Sequence, residues 1–329
     1  MGMVMEEGGR VESERFRDEL RVFCYRMSGS LLDAGDLAET TLFRASGLPI
    51  SFADTAATRT ELYKIATRIC LEALMDRPAR ALPSVTNPPS DPFLAPLEPE
   101  EGELWLEPFP DDLYPEHDDT GGKSSGGIGG TTLRSIAALQ EVQPRARVSL
   151  VLADVMGWPV NSLAEVMGIG VVDARRTLDE ARESFARACA DEPDGGEPAD
   201  EEREAALSVR YMYAWEAEDV ESLARFLAED ATIQLPPSPS WYEGREDVVR
   251  YLFSRPLASG SRGRWRLLPR RANGGLAFGV YERGKERDRY SAHSIQVLRL
   301  EGAAVREVIC FAYPDLFKPF KLMPEVTAR

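Results

Sequence analysis

The stretch from Ala81 to Thr132 divides this chain. Prolines at 83, 88, 89, 92, 96, 99, 108, 110 and 115 remove backbone donors, an acidic run follows, and GGKSSGGIGGTT closes the span with glycines and small polar residues. Sequence with so little periodic apolar character cannot close a core by itself. Whatever folds must fold before it or after it, and 329 residues leave room for two or three compact units. Within the span, LWLEPFPDDLY carries aromatics and is expected to dock onto a neighbouring domain.

On the N-terminal side, ERFRDELRVFCYRMSG, DAGDLAETTLFRAS and RTELYKIATRICLEALM repeat apolar residues at spacings of three and four. That period predicts an all-helical domain over residues 10–80. Beyond the linker at 81–132, residues 133–190 return to helix in three stretches: LRSIAALQEVQPRARVSLVLADVMG, WPVNSLAEVMG and VVDARRTLDEARESFARACA. Short helices separated by a glycine-containing turn and followed by a longer helix give a helix-turn-helix outline. After the acidic DEPDGGEPADEE, the last unit at 201–320 opens with helical AALSVRYMYAWEAEDVESLARFLAEDA. It then changes period: TIQLP, GRWRLLPRRA, LAFGVYERG, RYSAHSIQVLRLEG and AAVREVICFAY alternate in twos between turn residues. Helices followed by a meander of strands predict an α+β domain.

Charge and composition narrow the function classes. A formal net charge of −16 opposes nonspecific attraction to a polyanion, which leaves only locally basic surfaces for nucleic acid. Cys24, Cys70, Cys189 and Cys310 are far apart and lie mostly in apolar segments, so they are expected as buried thiols. GGKSSGGIGG lacks the spacing of a phosphate loop, and the sequence holds no HExxH, no GxSxG and no clustered metal ligands. No metal or cofactor is expected. No apolar run is long enough for a membrane span, and MGMVMEEGGRVESERF is unlike a secretory leader, so the expected location is the cytoplasm.

Three segments together carry a resemblance. CYRMSGSLLDAGDLAETTLFRA resembles the start of region 2 of an extracytoplasmic-function sigma factor, and LQEVQPRARVSLVLADVMGWPVNSLAEVMG resembles its region 4. AWEAEDVESLARFLAEDATIQLPPSPSWYEGRE, RANGGLAFGVY, AHSIQVL and DLFKPFKLM are similar to a SnoaL-like domain attached C-terminally to such factors. The resemblance implies a multidomain fold: all-α region 2-like and region 4-like domains, the latter a helix-turn-helix, followed by an α+β cone with an apolar interior.

Departures from the family pattern cluster where its members meet polymerase and DNA. Glu39-Thr40-Thr41 stands where relatives carry Gln-Glu-Thr, and Glu61 precedes Leu62-Tyr63 where they carry tryptophan. A carboxylate in place of a stacking aromatic removes about 1–3 kcal/mol per base and repels phosphate. LEALMDRPARALP replaces a run of arginines. At the start of the recognition helix Gly170 replaces a capping Ser or Thr, and Val171, Val172, Asp173 and Ala174 replace polar base-reading residues. Arg175, Arg176 and Arg182 remain as DNA-contacting candidates.

In the cone, the resemblance implies an aromatic-lined pocket. Trp215, Trp241, Tyr242, Trp265, Phe278, Tyr281, Gln296 and Phe311 are its candidate ligand-binding residues. His293 shares an alternating strand with Ile295 and Val297 and could serve as a general acid or base. Tyr211 and Tyr313 are candidate hydrogen-bond donors, and Asp230, read as closing a helix ahead of the first strand, completes the catalytic candidates. Two functions lead, ahead of a third in which the chain is a regulator that sequesters a partner without DNA contact or chemistry. In the first, a repurposed sigma-like scaffold binds an apolar, polyketide-like small molecule and cyclises or isomerises it without a cofactor. In the alternative, a sigma factor binds RNA polymerase core and promoter DNA to direct transcription initiation, and its C-terminal domain regulates it.

Overall fold

The computed structural model describes residues 16–47, 55–100, 102, 104–114, 132–190, 201–258, 263–284 and 288–327. His117 and the glycine run GGKSSGGIGG lie outside them. The chain forms two compact units, one of residues 1–80 with 111–193 and the other of residues 81–110 with 194–329.

The first unit is helical: α1 (Arg17–Ser28), α2 (Leu31–Ser46), α3 (Thr55–Leu74), α4 (Leu133–Glu141), α5 (Pro144–Leu150), α6 (Val160–Met167) and α7 (Val171–Cys189). Local chemistry sets the boundaries. α1 stops at Gly29, whose φ of 69° suits the left-handed cap that a glycine adopts without steric cost. Ser30 and Thr132 then cap α2 and α4 by accepting from the Asp33 and Ser135 amides. LRSIAALQEVQPRARVSLVLADVMG, one helical stretch in the sequence reading, breaks at Val142. Pro144 has no N–H to continue a helix but fits the first turn of the next one, α5. A π-helical turn, Val151–Val155, ends α5.

The segments read from sequence as two separate helical domains, 10–80 and 133–190, share this unit. α3 packs on α5 and α6, and α1 packs on α4 and α5. A buried guanidinium joins them: Arg147 of α5 donates to Gln140 Oε1 at 2.6 Å, to Gln140 O at 2.7 Å, to Val142 O at 3.0 Å and to Met27 O at the end of α1. Gln140 in turn donates to Arg26 O at 3.3 Å.

In the second unit, α8 (Glu201–Glu216), α9 (Val220–Phe226) and α10 (Arg245–Ser254) accompany β1 (Leu227–Gln234), β2 (Trp241–Glu243), β3 (Trp265–Ala272), β4 (Gly275–Arg283), β5 (Arg289–Glu301), β6 (Ala304–Phe311) and β7 (Glu325–Thr327). The sheet order is β2-β1-β6-β5-β4-β3, with β7 pairing the start of β5. β1 and β6 run parallel and the other pairs antiparallel. One face buries Phe278, Val280, Leu298 and Val308 against Leu207, Tyr211 and Trp215 of α8 and Val248 of α10. At Gly279, whose position points the opposite way from Phe278 and Val280, a Cβ would stand 2.4 Å from Leu322 Cδ1, so the C-terminal segment approaches the strand only because the residue is glycine.

Residues 81–110, expected as part of a linker running to 132, belong to this unit. Leu82, Trp105, Leu106 and Phe109 are buried, and buried aromatic area offsets the cost of ordering a chain that its prolines already restrict. The Trp105 indole donates to Pro237 O at 2.9 Å, the Trp241 indole to Asn87 O at 2.9 Å, and the Phe109 amide to Asn273 Oδ1 at 2.8 Å. The Ser84 amide meets Gln234 Oε1 at 2.9 Å. The Gln234 amide donates at 2.8 Å to the buried carboxylate of Glu307, which Arg299 approaches at 3.3 Å.

Candidate functional site

Two arrangements carry chemistry, one in each unit. In the helical unit, α6 ends at Gly168 with φ of 65°, a turn follows, and α7 begins at Val171 behind a Gly170 cap that offers no side chain. Ala174, Leu178, Ala181 and Phe185 recur at spacings of three and four and bury one stripe of α7. The opposite face is exposed. Val172 keeps 83% of its surface and Val171 43%, which are large fractions for valines on a helix with a separate buried stripe.

The three arginines predicted to reach DNA are placed differently. Arg175 is exposed and has no ion-pair partner among the described residues. Arg176 is exposed and donates to Asp173 at 3.2 Å. Arg182 is clasped through two nitrogens to Asp154, at 2.7 and 2.5 Å, and touches Asp179 at 3.5 Å. It fastens α7 to the π-helical turn that precedes α6. The open edge of the helix is thus Val171, Val172, Arg175 and Arg176, with Asp179 and Glu180 a turn further on. Valine methyl groups can meet a thymine methyl, carboxylates can accept from cytosine N4, and Arg175 can meet phosphate.

The departures predicted in the region 2-like part also find partners. Glu39 pairs with Arg17, and Glu61 accepts from Lys64 at 2.7 Å. Tyr63 is fully buried, edge-on to Phe23 at 5.1 Å and tilted against Trp158 at 5.0 Å.

In the second unit, the aromatic interior is assembled from several elements. Tyr211 and Trp215, one helical turn apart on α8, stack with ring centroids at 5.8 Å, and Tyr211 stacks on Phe278 of β4 at 5.3 Å. The Tyr211 hydroxyl donates to Gln296 Oε1 at 3.0 Å. Tyr242 of β2 stacks on Tyr251 of α10 at 4.5 Å. Burial raises the Tyr211, Tyr242 and Tyr251 phenols and pushes the Cys310 thiol up to about 12, so these groups stay neutral near pH ~7. Two buried donors, the Trp215 indole N–H and the Tyr242 hydroxyl, have no hydrogen-bond partner among the described residues.

Of the predicted ligand-binding residues, Trp215, Tyr242, Trp265 and Phe278 join this cluster together with the catalytic candidate Tyr211, and Gln296 is bonded to it. Three lie outside it. Tyr281 donates to Met323 O at 2.9 Å and meets Phe317 edge-on, Trp241 holds the 81–110 segment, and Phe311 pairs in register with Ile295.

The catalytic candidates are not brought together. Asp230 does not close a helix: α9 ends at Phe226, the chain turns extended at once, and Asp230 lies exposed in β1, paired to Arg306 at 2.8 Å. A register shift between Val280 and Tyr281 breaks the alternation expected to keep His293 in line with Ile295 and Val297. His293 is an exposed residue beside the edge of Trp265, at 5.0 Å, with Nδ1 at 3.1 Å from Ser294 Oγ. Tyr313 stands half-buried after β6, at the start of a single 3₁₀ turn.

Sequence reasoning missed Tyr251, Arg147 and Asp154. Tyr251 was legible as a third-neighbour of Val248 on an amphipathic helix. Arg147 and Asp154 read as ordinary surface charges, because their partners are distant in sequence.

Comparison with known proteins follows the same division. The SnoaL-like domain family matches residues 209–308. The ECF RNA polymerase sigma factor SigG, in each of two strains of Mycobacterium tuberculosis, is 34% identical over 313 residues, covering 94% of this chain and 82% of SigG. The crystal structure of the Mycobacterium tuberculosis extracytoplasmic function sigma factor SigJ has the same fold, with a TM-score of 0.57 at 21% identity over 94% of this chain and 98% of that one. With a helix-turn-helix in its helical unit and an aromatic-filled α+β unit at its C-terminal side in sequence, the chain belongs to the extracytoplasmic-function sigma factors that carry a C-terminal SnoaL-like domain.

Proposed function

We propose that this chain acts as a sigma factor: it binds RNA polymerase core in the cytoplasm and directs initiation at promoters whose upstream element is read by α7. The observation that carries the reading is the 34% identity to SigG, which runs through 94% of the chain and is not confined to the SnoaL-like domain. SigG is by name an RNA polymerase sigma factor. The exposed edge of α7 supports the same reading, since Val171 and Val172 are left unburied on a helix whose opposite stripe already supplies its packing. No helix among the described residues is long and apolar enough to cross a membrane.

The other reading, a cofactor-independent cyclase or isomerase, has less support. Its four candidate residues are scattered, and the tyrosines and the thiol inside the aromatic cluster are held neutral, which suits binding better than proton transfer. A regulatory role for the SnoaL-like domain has a specific observation in its favour. The unpartnered Trp215 and Tyr242 donors would be satisfied by a largely apolar ligand carrying acceptor atoms.

The test is reconstitution. The purified chain is mixed with core polymerase, co-elution is followed, and run-off transcripts are sequenced from a library of genomic promoters. A shared upstream sequence among the transcribed templates supports the proposal, and a core complex that initiates nowhere overturns it.

A further inference from the structure

Within the helical unit a cavity of about 320 Å³ lies between α3 on one side and α5 and α6 on the other. Its apolar wall includes Leu71, Val148, Val166 and Met167. Its polar groups are unequally provided for. Lys64 is held by Glu61 at 2.7 Å and Glu165 at 2.9 Å, and Arg68 by Glu72 at 2.9 Å. Glu72 also meets Arg44 at 3.5 Å. Arg145 lines the same cavity, exposed, with no ion-pair partner among the described residues. These groups amount to four cations against three carboxylates, and Arg145 is the one left over. Thr67 lines it too: the residue keeps only 4% of its surface, and its hydroxyl is buried with no hydrogen-bond partner among the described residues.

A volume near the lower end of the ligand-pocket range suits a small organic molecule more than a peptide. A buried hydroxyl without a partner is costly unless a group outside the protein supplies one. An uncompensated guanidinium on the same cavity selects an anion as that group.

We infer that the cavity between α3 and the α5–α6 pair binds a small amphipathic carboxylate, whose apolar body covers Leu71, Val148, Val166 and Met167 and whose charged end meets Arg145 and the Thr67 hydroxyl. The ligand touches the region 2-like part through α3 and the region 4-like part through α5 and α6, so its presence tightens that seam. The site shares no residue with the aromatic cluster of the SnoaL-like unit or with the open edge of α7, and the inference does not depend on transcriptional activity.

Decanoate and decanol, both below the concentration at which they aggregate, test it by titration calorimetry on the full chain. The wild type is expected to bind decanoate about tenfold or more tightly than decanol, a difference of about 1.4 kcal/mol. Arg145→Glu is expected to abolish that preference while leaving decanol binding in place, Thr67→Val to weaken decanoate several-fold, and Met167→Trp, which fills the cavity, to remove binding of both. Equal affinity for the two ligands overturns the inference. So does the failure of either to bind, or decanoate binding that survives Met167→Trp in a chain shown by circular dichroism to be folded.

Discussion

The Tyr63 ring lies 5.0 Å from the Trp158 indole, centroid to centroid, and its hydroxyl is buried without a hydrogen-bond partner among the described residues. Tyr63 follows Glu61 and Leu62 in the segment that, by resemblance, melts promoters. Here it forms part of the packing that joins the two helical parts. A hydroxyl in that position costs free energy in the folded state, so Tyr63→Phe should leave the protein as stable as the wild type or more so, by up to about 1 kcal/mol. Tyr211→Phe is the contrast. Its hydroxyl donates to Gln296 at 3.0 Å, and its loss should cost about 1–3 kcal/mol. Urea unfolding of the two variants side by side checks the difference in sign.

The guanidinium of Arg147 is the polar centre of the helical unit. Burial lowers its pKa to about 10, still well above neutral pH, so the group remains charged, and it donates to Met27, Gln140 and Val142. Replacing it by methionine leaves several carbonyls without a donor, and a loss of about 3–5 kcal/mol is expected in denaturant unfolding. A change below about 1 kcal/mol would show that water replaces the guanidinium.

The cysteines give a prediction with a pH sign. Cys310 is pushed up to about 12 by burial, and Cys24 is raised by its contact with Cys70 and by burial. Raised thiol pKa values keep the reactive thiolate scarce, on the order of one Cys310 in ten thousand at pH ~8. Both residues should therefore resist iodoacetamide in the native protein at that pH and react once denaturant is added. Mass spectrometry of tryptic peptides reads the result.

The arginines of α7 divide by partner. Arg175, open to solvent, should contribute to DNA binding through phosphate: Arg175→Ala is expected to reduce the salt slope of promoter binding by about 1. Arg182, clasped to Asp154, should leave that slope unchanged when replaced and instead lower the thermal midpoint of the helical unit. Fluorescence anisotropy over a salt series, with melting curves alongside, separates the two.

Much of this was legible in the sequence. The period of three and four placed the helices, the shift to a period of two placed β1 and β3 to β6, and Gly168 marked a real break, whereas the break ahead of Pro144 was read through as continuous helix. The aromatic interior was legible as well, because Tyr211 and Trp215 one turn apart must share a helix face. Some features depend on partners far along the chain. The aromatics of LWLEPFPDDLY announced a docked segment but not its partners, because the indole bonds from Trp105 to Pro237 and from Trp241 to Asn87 join residues far apart in sequence. The three-residue strands β2 and β7 are too short to show an alternation. His293 misled because one register shift changed which neighbours it stands beside, and strand alternation is reliable only between such shifts. Of the acidic residues of RRTLDEARES, which argue against DNA in isolation, Asp179 is met by Arg182 of the same helix at 3.5 Å.

The most direct test of the account is run-off transcription with purified core polymerase, comparing the wild-type chain with a variant carrying Val171→Asp and Val172→Asp. The account predicts discrete transcripts from promoters sharing one upstream element with the wild type, and loss of those transcripts with the variant, which should still co-elute with core. Core polymerase that yields no promoter-specific transcript with the wild-type chain, under conditions where the two co-elute, would contradict it.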